Sequence, residues 1–378
     1  MPPVVPRHGS SMSPTELPRV SRGRSRITRS AQCCHRSARV PAGGGSPGPT
    51  LTVSGHERVR TTIEPRGETR HMSGQLEGKA VVVTGAGRGL GEAFATHAAQ
   101  AGAAVVVNDV DAELAERTAA NIAAHGGSVV ASGHDVADPG QASALVELAV
   151  SEFGGVHGLV NNAGLNYEAV SWQDDPADVR RLVETNVLGV IYVGTAAARA
   201  MVRHGGGSIV NISSGASFGQ RRLATYSASK GAVASLTYSW ALDMEEVGIR
   251  VNAVCPLAHT RMVWASERSL RNCPPDRTPS RIAPLVVFLL GDDAHGITGQ
   301  LVRCNGSDLH LVGQPYVKEP VLRRPVWDTT SVRRAFAEVF AAQLEPYGLE
   351  KRVPPTMREW TESAAGGRVV RSGHNRSA

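Results

Sequence analysis

The stretch of residues 80–109 constrains the fold of this chain more than any other. The sequence AVVVTGAGRGLG, residues 80–91, joins a β-branched run that predicts a buried strand to a glycine-rich turn. A helix predicted from Leu90 to Gln100 and a strand from Ala104 to Asn108 follow, and Asp109 lies 18 positions after the last glycine. In dinucleotide sites with this layout, glycines let the backbone approach a pyrophosphate at a helix N-terminus, and the acid holds the adenosine ribose.

The same alternation of strand and helix continues along the chain. The further predicted strands are Ser128–Ser132, His157–Val160, Ser208–Ile212, Ile249–Val254 and Gly299–Val302, and the further helices are Ala112–His125, Gln141–Phe153, Asp178–Arg203, one from Thr225 and Pro279–Leu290. Such alternation implies right-handed crossovers and a parallel sheet with helices on both faces. We therefore predict one doubly wound α/β domain with about seven strands.

Several polar or conformationally special residues lie within three residues after the ends of predicted strands. They are Asp109, Asp135, Asn162, Ser214 and Pro256. Ligands of such sheets bind beyond the carboxyl ends of the strands. These residues are therefore expected to meet in one crevice.

Tyr226 and Lys230, in the sequence YSASK, lie four positions apart in a segment predicted to be helical. Residues i and i+4 share one face of a helix, so a phenol and an ammonium group can meet over one bound molecule. A nearby cation favours the phenolate, which makes the pair a candidate for proton transfer at neutral pH. On its own, a pair at this spacing is more often solvated surface.

The net charge of the chain is unevenly distributed. Residues 1–71 hold 12 Arg, no Lys and 4 Glu, a charge of +8, whereas the remainder carries −2. We predict residues 1–72 to be a disordered tail, because they are rich in Arg, Pro and Ser and lack hydrophobic periodicity. Three interpretations remain open: a nucleic-acid-binding arm, a transit peptide, or an upstream extension of the reading frame that is not translated. The regular pattern starts just after Met72, which favours the third and makes a nucleic-acid partner unlikely on sequence grounds.

The rest of the chain is predicted to comprise a folded domain at residues 73–310 and a C-terminal extension at 311–378. Residues 331–343 have helical spacing, so we expect a helix whose aromatic side chains pack on the body of the fold or on a neighbouring subunit, and disorder after Leu349. The apolar run Ala283–Leu290 is too short to span a membrane.

The five cysteines form no CxxC pair, and no histidines cluster at ligand spacing, so we predict no metal site and a reducing, cytoplasmic location.

Taken together, the motifs resemble those of the classical short-chain dehydrogenases/reductases. The resemblance runs from Lys79 to Val302. The matching sequences are TGAGRGLG, NNAG at 161–164, Asn186 in TNVLGV, the serines of NISS, YSASK, and IRVNAVCP at 249–256. It implies a Rossmann fold, oxidoreduction of an alcohol or ketone with NAD or NADP, and a homodimer or homotetramer formed through the helices that carry Asn186 and Tyr226.

The resemblance also implies a role for each matching residue. Tyr226 would be the general acid or base, Lys230 would lower its pKa and bind the nicotinamide ribose, Ser214 would orient the substrate oxygen, and Asn186 would support a water chain from Lys230 to solvent. The residues expected to bind the cofactor are Gly85, Arg88, Gly89, Leu90, Asp109, Asp135, Val136, Asn162, Ala163, Gly164, Tyr226, Lys230, Pro256 and Thr260.

Two departures from the family pattern concern the loops beside the Tyr226 helix. The family serine usually lies 13 residues before the tyrosine, whereas Ser214 lies 12 before it and Ser213 lies 13 before it. We favour Ser214, with Ser213 as the alternative. After Pro256 the family prefers glycine, but Leu257 stands here, and Thr260 is one residue closer to the proline than the family threonine.

Cofactor choice depends on two opposed side chains. Asp109 would bind the 2′-hydroxyl of NAD and repel the 2′-phosphate of NADP, whereas Arg88 could bind that phosphate. Their ordinary structural roles would be a helix N-cap for Asp109 and a surface side chain for Arg88. We favour NAD.

The sequence defines the substrate poorly. Residues 261–279, with Trp264, are expected to form a short lid, and TRM at 260–262 with APLVVFLL gives a softer resemblance to the dehydrogenase domain of peroxisomal multifunctional enzyme type 2 and its bacterial relatives. That resemblance implies a 3-hydroxyacyl thioester, with a steroid-like secondary alcohol as another option. A regulator or scaffold that binds dinucleotide with little turnover is the alternative function.

Overall fold

The structure is a computed structural model that describes residues 74–265, 270 and 273–352. The predictions made for residues 1–72, for part of the lid and for the chain beyond residue 352 lie outside the described residues.

One sheet of eight strands organises the described part of the chain, in the order β3-β2-β1-β4-β5-β6-β7-β8. The strands are β1 Ala80–Thr84, β2 Ala104–Asn108, β3 Val129–Ser132, β4 Gly158–Asn161, β5 Gly207–Ile212, β6 Ile249–Pro256, β7 Leu301–Cys304 and β8 Leu309–Leu311. The first seven strands are parallel to one another, which confirms the predicted doubly wound fold.

The eighth strand was not predicted. β8 pairs antiparallel with β7 after a tight turn in which the Asn305 side chain accepts the N–H groups of Ser307 and Asp308. Leu309 and Leu311 are exposed, so this three-residue edge strand carries no buried apolar face from which to recognise it.

Helices cover both faces of the sheet. They are α1 Gly89–Gln100, α2 Ala112–Ala124, α3 Pro139–Phe153, α4 Pro176–Val183, α5 Gly189–Arg203, α6 Ala224–Met244, α7 Ala283–Leu290, α8 Thr329–Ala335 and α9 Leu349–Arg352. Alternate side chains of β1 enter different cores: Val81 and Val83 pack with α1, α2 and α7, whereas Val82 packs with α3, α5 and α6. Burial on both faces explains why β1 reads as a continuous apolar run.

The long predicted helix over Asp178–Arg203 has a local change of winding. α4 passes through a π-helical turn, Glu184–Leu188, into α5, and Asn186 lies on that turn. By length and composition the segment Pro176–Arg203 is apolar enough to cross a membrane, but half of its apolar window is buried inside the fold. Its apolar residues are therefore accounted for by packing on the sheet.

The C-terminal extension carries α8, which continues as a π-helical turn to Phe340 and a 3-10 turn to Gln343. Asp328 and Ser331 form a reciprocal capping box at its start. Ser331 and Ala335 are buried, but Phe336 is 51% exposed and stacks edge-on against Phe340 at 5.4 Å between ring centroids. Phe336 therefore does not pack on the body of this chain, because the polar and small side of the helix faces inward, and packing on a neighbouring subunit stays a prediction.

Candidate active site

A cavity of about 200 Å³ opens beyond the carboxyl ends of the central strands. It brings together residues that are far apart in the sequence. Among its lining residues are Leu90, Asn162, Gly164, Ser213, Ser214, Tyr226, Lys230, Pro256 and Thr260. The predicted convergence of strand ends on one crevice is therefore seen for these residues.

The glycine-rich turn between β1 and α1 packs against the segment that follows β4. The hydroxyl of Thr84 accepts the backbone N–H groups of Asn162 and Ala163 at 3.0 and 3.1 Å. The amide of Asn162 donates to the carbonyls of Thr84 and Gly85 at 3.0 and 2.9 Å. The Asn162 side chain therefore holds the turn in place.

Close approach explains two of the glycines. Gly85 has a φ of +61°, and a methyl group there would lie 2.7 Å from the Cα of Ala163. A methyl group on Gly91 would lie 2.1 Å from the carbonyl oxygen of Gly85, so α1 can pack on the turn only with glycine at 91. Sequence reasoning did not single out Gly91 or Thr84, although both belong to the TGAGRGLG sequence.

The N-terminus of α1 differs from those of the three helices that follow. Asp111, Asp138 and Asp175 cap α2, α3 and α4 with their side chains. Arg88, at the N-cap of α1, makes no such bond. The first N–H groups of α1 thus have no side-chain cap, which suits a phosphate at this end of the helix.

Asp109 is held at the end of β2 by backbone donors. Its carboxylate accepts the N–H of Gly87 at 3.0 Å and the N–H of Asp111 at 3.1 Å. This position beside the glycine turn suits contact with the ribose of a bound dinucleotide. The N-cap of α2 is Asp111 rather than Asp109. Arg88 is exposed at the start of α1.

Asp135 and Val136 follow β3 and do not line the cavity formed by the described residues. The Asp135 carboxylate accepts the N–H of Ala137 at 2.9 Å, and its own N–H donates to Gln141. Val136 is buried and would contact a methyl group on Gly189 at 2.9 Å. In the structure both residues shape the turn into α3.

Lys230 is buried on α6, and its ammonium donates to the carbonyl of Ile212, at the end of β5, at 2.8 Å. Burial lowers the pKa of Lys230 to about 8. A methyl group on Gly164 would lie 3.5 Å from the Lys230 nitrogen and 3.2 Å from the Asn186 side-chain oxygen. Gly164, the last residue of the NNAG sequence, therefore lies close to the polar side chains of Asn186 and Lys230.

Tyr226 lines the same cavity, one helical turn before Lys230. Burial raises the pKa of Tyr226 to about 12, and a hydrogen bond with Ser214 acts in the opposite direction. Desolvation of the phenol is the dominant effect on this pKa, so the phenol is protonated at neutral pH. The lowering of the Tyr226 pKa by Lys230 stays a prediction.

Ser213 and Ser214 have different partners. The Ser213 hydroxyl is buried and donates to the Lys230 carbonyl at 2.9 Å. The Ser214 hydroxyl bonds with Tyr226 and accepts the N–H of Ala216 at 3.1 Å. Of the two, Ser214 is the serine whose hydroxyl reaches the phenol.

Asn186 is fully buried on the π-helical turn. Its amide nitrogen donates to the Leu165 carbonyl at 2.9 Å and to the Ser229 hydroxyl at 3.1 Å, and its oxygen accepts the Leu165 N–H at 2.7 Å. These bonds join the strand-end segment after β4 to α6, next to Lys230.

The loop after Pro256 follows its own course. The Leu257 N–H donates to the Cys304 carbonyl of β7 at 2.9 Å, which extends the sheet pairing by one residue. Thr260 reaches the glycine turn, where a methyl group on Gly89 would lie 3.7 Å from the Thr260 methyl. The threonine thus lines the cavity despite its shifted spacing.

The cavity residues that sequence reasoning missed include Arg303 on β7 and Leu349 at the start of α9. Arg303 is 5% exposed, and a methyl group on Gly215 would lie 1.8 Å from its guanidinium nitrogen. An arginine inside the short apolar strand LVRC was the available signal. No local signal marks Leu349.

Comparison with known proteins identifies the family to which this chain belongs. The model of the short chain dehydrogenase family matches residues 79–270. This chain belongs to the short-chain dehydrogenase family. It is therefore an oxidoreductase of a family that acts on alcohols and ketones. Members of this family have a Rossmann-like fold and bind NAD(P), which agrees with the fold and the glycine-rich turn described above.

Individual relatives differ widely in their named substrates. The chain is 35% identical over 251 residues to 2-(S)-hydroxypropyl-CoM dehydrogenase 3 of Xanthobacter autotrophicus, covering 62% of this chain and 98% of that one. It is 34% identical over 270 residues to 3-alpha-(or 20-beta)-hydroxysteroid dehydrogenase of Mycobacterium tuberculosis, covering 68% and 100%. A solved gluconate 5-dehydrogenase from Burkholderia cenocepacia, in complex with NADP and tartrate, is 30% identical with a TM-score of 0.57, covering 62% and 97%.

Proposed function

We propose that this short-chain dehydrogenase interconverts a secondary alcohol and a ketone with NAD, using Tyr226, Lys230, Ser214 and Asn186. The observation that carries the proposal is the single cavity lined by Tyr226, Ser214 and Lys230, which opens beside the glycine turn that Asp109 holds. A pure binding module has no need of a buried lysine next to a phenol, since an uncompensated buried cation costs free energy.

In the reducing direction, Tyr226 donates its phenolic proton to the carbonyl oxygen of the substrate. The nicotinamide supplies the hydride to the carbonyl carbon when NADH is bound. The C=O π bond breaks, an alcohol forms, and the phenolate left on Tyr226 is stabilised by Ser214 and by the Lys230 ammonium. Oxidation is the reverse, with the tyrosine as base.

Lys230 and Asn186 complete the proton path in this mechanism. The Lys230 pKa of about 8 allows the amine to exchange a proton near neutral pH. Asn186 fixes the segment around Leu165 and Ser229, which positions the surroundings of Lys230. A water chain from Lys230 to solvent is the family role proposed for Asn186.

The residues fit NAD better than NADP. The fixed carboxylate of Asp109 suits a ribose 2′-hydroxyl and opposes a 2′-phosphate. Arg88 is exposed at the edge of the same turn and is the residue that favours NADP. One solved relative is bound to NADP, so that cofactor occurs among similar proteins.

The lining of the cavity, rather than any one relative, supports the proposed substrate class. Its lining includes the polar residues Ser214, Tyr226 and Lys230, together with Gln220 and Arg303, and the apolar residues Leu223, Leu257 and Leu349. We propose a secondary alcohol with an apolar body, for which a 3-hydroxyacyl thioester and a hydroxysteroid are the two leading candidates. A cytoplasmic homodimer or homotetramer remains part of the proposal.

A screen with both dinucleotides tests this function. Purified protein is mixed with NAD or NADP and a set of simple secondary alcohols, 3-hydroxyacyl thioesters and hydroxysteroids, and the absorbance of the reduced nicotinamide is followed over time. Turnover with NAD above NADP is expected. Dinucleotide binding without any turnover would instead support the regulator or scaffold.

A further inference from the structure

The C-terminal extension returns to the active-site cavity near the end of the described chain. Leu349, the first residue of α9, lines the cavity together with Tyr226 and Ser214. It lies beyond residue 270, where the family match ends, and the relatives described above, though covered almost whole, match only 62% to 68% of this chain. Leu349 is thus a cavity residue outside the segment that the family model matches.

A backbone contact fixes where the extension meets the body of the fold. The Leu349 N–H donates to the Gly219 carbonyl at 2.7 Å. Gly219 ends the 3-10 turn Gly215–Phe218, which follows Ser214 directly. Gly348 has a φ of +74°, and a methyl group there would lie 3.3 Å from the Gly219 oxygen, so the chain reverses here at close range.

Side chains of the extension brace this segment. Glu345 pairs with Lys318 and with Arg352, the latter at 2.7 Å. The Lys351 ammonium lies 3.5 Å from the centroid of the Tyr347 ring. Each exposed contact is weak on its own, but together they favour the conformation in which Leu349 meets the cavity.

We propose that Leu349 is a specificity-determining residue that selects alcohols with apolar bulk next to the reacting carbon. The inference rests on the proposed function. Tyr226, Ser214 and Lys230 take the polar end of a substrate, and Leu349, Leu223 and Val263 present apolar side chains to the same cavity. A branched alkyl group or a ring gains binding energy when it packs against Leu349 and leaves water. A methyl group is too small to reach Leu349 and gains none of this energy.

The test compares Leu349→Ala with the matched variant Leu344→Ala. Leu344 belongs to the same extension but is 68% exposed, so it controls for a general effect of the substitution. The substrates are a series of secondary alcohols from propan-2-ol through cyclohexanol to a hydroxysteroid. For each protein, kcat/KM is measured for the bulkiest and for the smallest alcohol that it turns over, and the first value is divided by the second. The KM for the dinucleotide is measured as well.

Leu349→Ala is expected to lower this ratio about tenfold, mainly through a higher KM for the bulky alcohol, because lost contacts in an apolar pocket have effects of that size. The KM for dinucleotide, and the ratio in Leu344→Ala, should stay at the wild-type values. Wild-type turnover with an unchanged ratio in Leu349→Ala would overturn the role of Leu349 and leave the proposed function standing. No wild-type turnover of any alcohol would overturn both.

Discussion

The Lys230 ammonium lies 5.8 Å from the centroid of the Tyr226 ring, and both groups face the same cavity. Burial acts on the two in opposite directions, since it raises the pKa of the phenol and lowers that of the amine. Both shifts favour the neutral form, so the site holds a protonated phenol beside an amine that titrates near pH 8. Further charge at the site, such as that of an oxidised nicotinamide, would favour the phenolate.

The lowered pKa of Lys230 predicts a pH-dependent stability. The pKa of a lysine in the unfolded chain is about 10.4, so between about pH 8 and 10.4 the unfolded state binds the extra proton. Stability conferred by the neutral amine is therefore present above that range and is lost as the pH falls through 8. Relative to Lys230→Met, wild type should gain about 3 kcal/mol of unfolding free energy from pH 8 to pH 10.4.

Urea denaturation of the two proteins at several pH values measures this difference. Taking the difference removes contributions from other groups, such as Cys255, whose pKa burial raises to about 11. A difference that stays constant with pH would mean that Lys230 has an ordinary pKa in the folded protein.

The adjacent serines should separate catalysis from stability. Ser214→Ala removes the hydroxyl bonded to Tyr226 and should lower kcat about 100-fold, as loss of one positioned hydrogen-bond donor does elsewhere. Ser213→Ala removes a buried hydroxyl that donates to the Lys230 carbonyl and should lower the unfolding free energy by about 1–2 kcal/mol, with little effect on kcat. Each variant is the control for the other, and the reverse pattern would identify Ser213 as the catalytic serine.

Asp109 should control the choice of cofactor. Asp109→Ala removes both a hydrogen-bond acceptor for the ribose and a charge that repels a 2′-phosphate, so kcat/KM with NADH should fall about tenfold or more while that with NADPH should rise. Asp111→Ala is the control, because Asp111 caps α2. It should lower stability by about 1 kcal/mol without changing the preference. Strong use of NADPH by the wild type would show that Arg88 outweighs Asp109.

Gly91 should be required for the glycine turn to pack on α1. The methyl group of Gly91→Ala would lie 2.1 Å from the Gly85 carbonyl oxygen, so the helix must shift. We expect a loss of about 1–3 kcal/mol in stability and weaker dinucleotide binding, measured by denaturation and by fluorescence titration. Gly313→Ala is the matched control, since no heavy atom lies within 4 Å of a methyl group there. Equal behaviour of the two variants would contradict the close packing.

Much of the fold was predictable because its signals are local. The β-branched runs and the glycines of TGAGRGLG identify β1, α1 and β2 from the chain itself. The sequence did not predict β8 or the exposure of Phe336, because an exposed edge strand and the orientation of a surface helix depend on contacts between segments distant in the chain.

The candidate site was predictable in its residues more than in its energetics. Tyr226, Lys230 and Asn186 lie in sequences that resemble a known family, but the pKa of Tyr226 depends on burial by segments remote in the chain. Leu349 joins the cavity through a contact between the C-terminal extension and Gly219, and no pattern in one sequence reports a contact over that distance.

The most direct test of the account is the turnover of Tyr226→Phe. The substitution removes the phenolic oxygen and keeps the ring, so the fold and the affinity for dinucleotide should remain close to those of wild type. We predict that kcat for the best alcohol found in the screen falls about 10²- to 10⁴-fold while the dissociation constant of NADH changes little. Turnover at the wild-type rate would contradict the assignment of Tyr226 as the proton-transfer group.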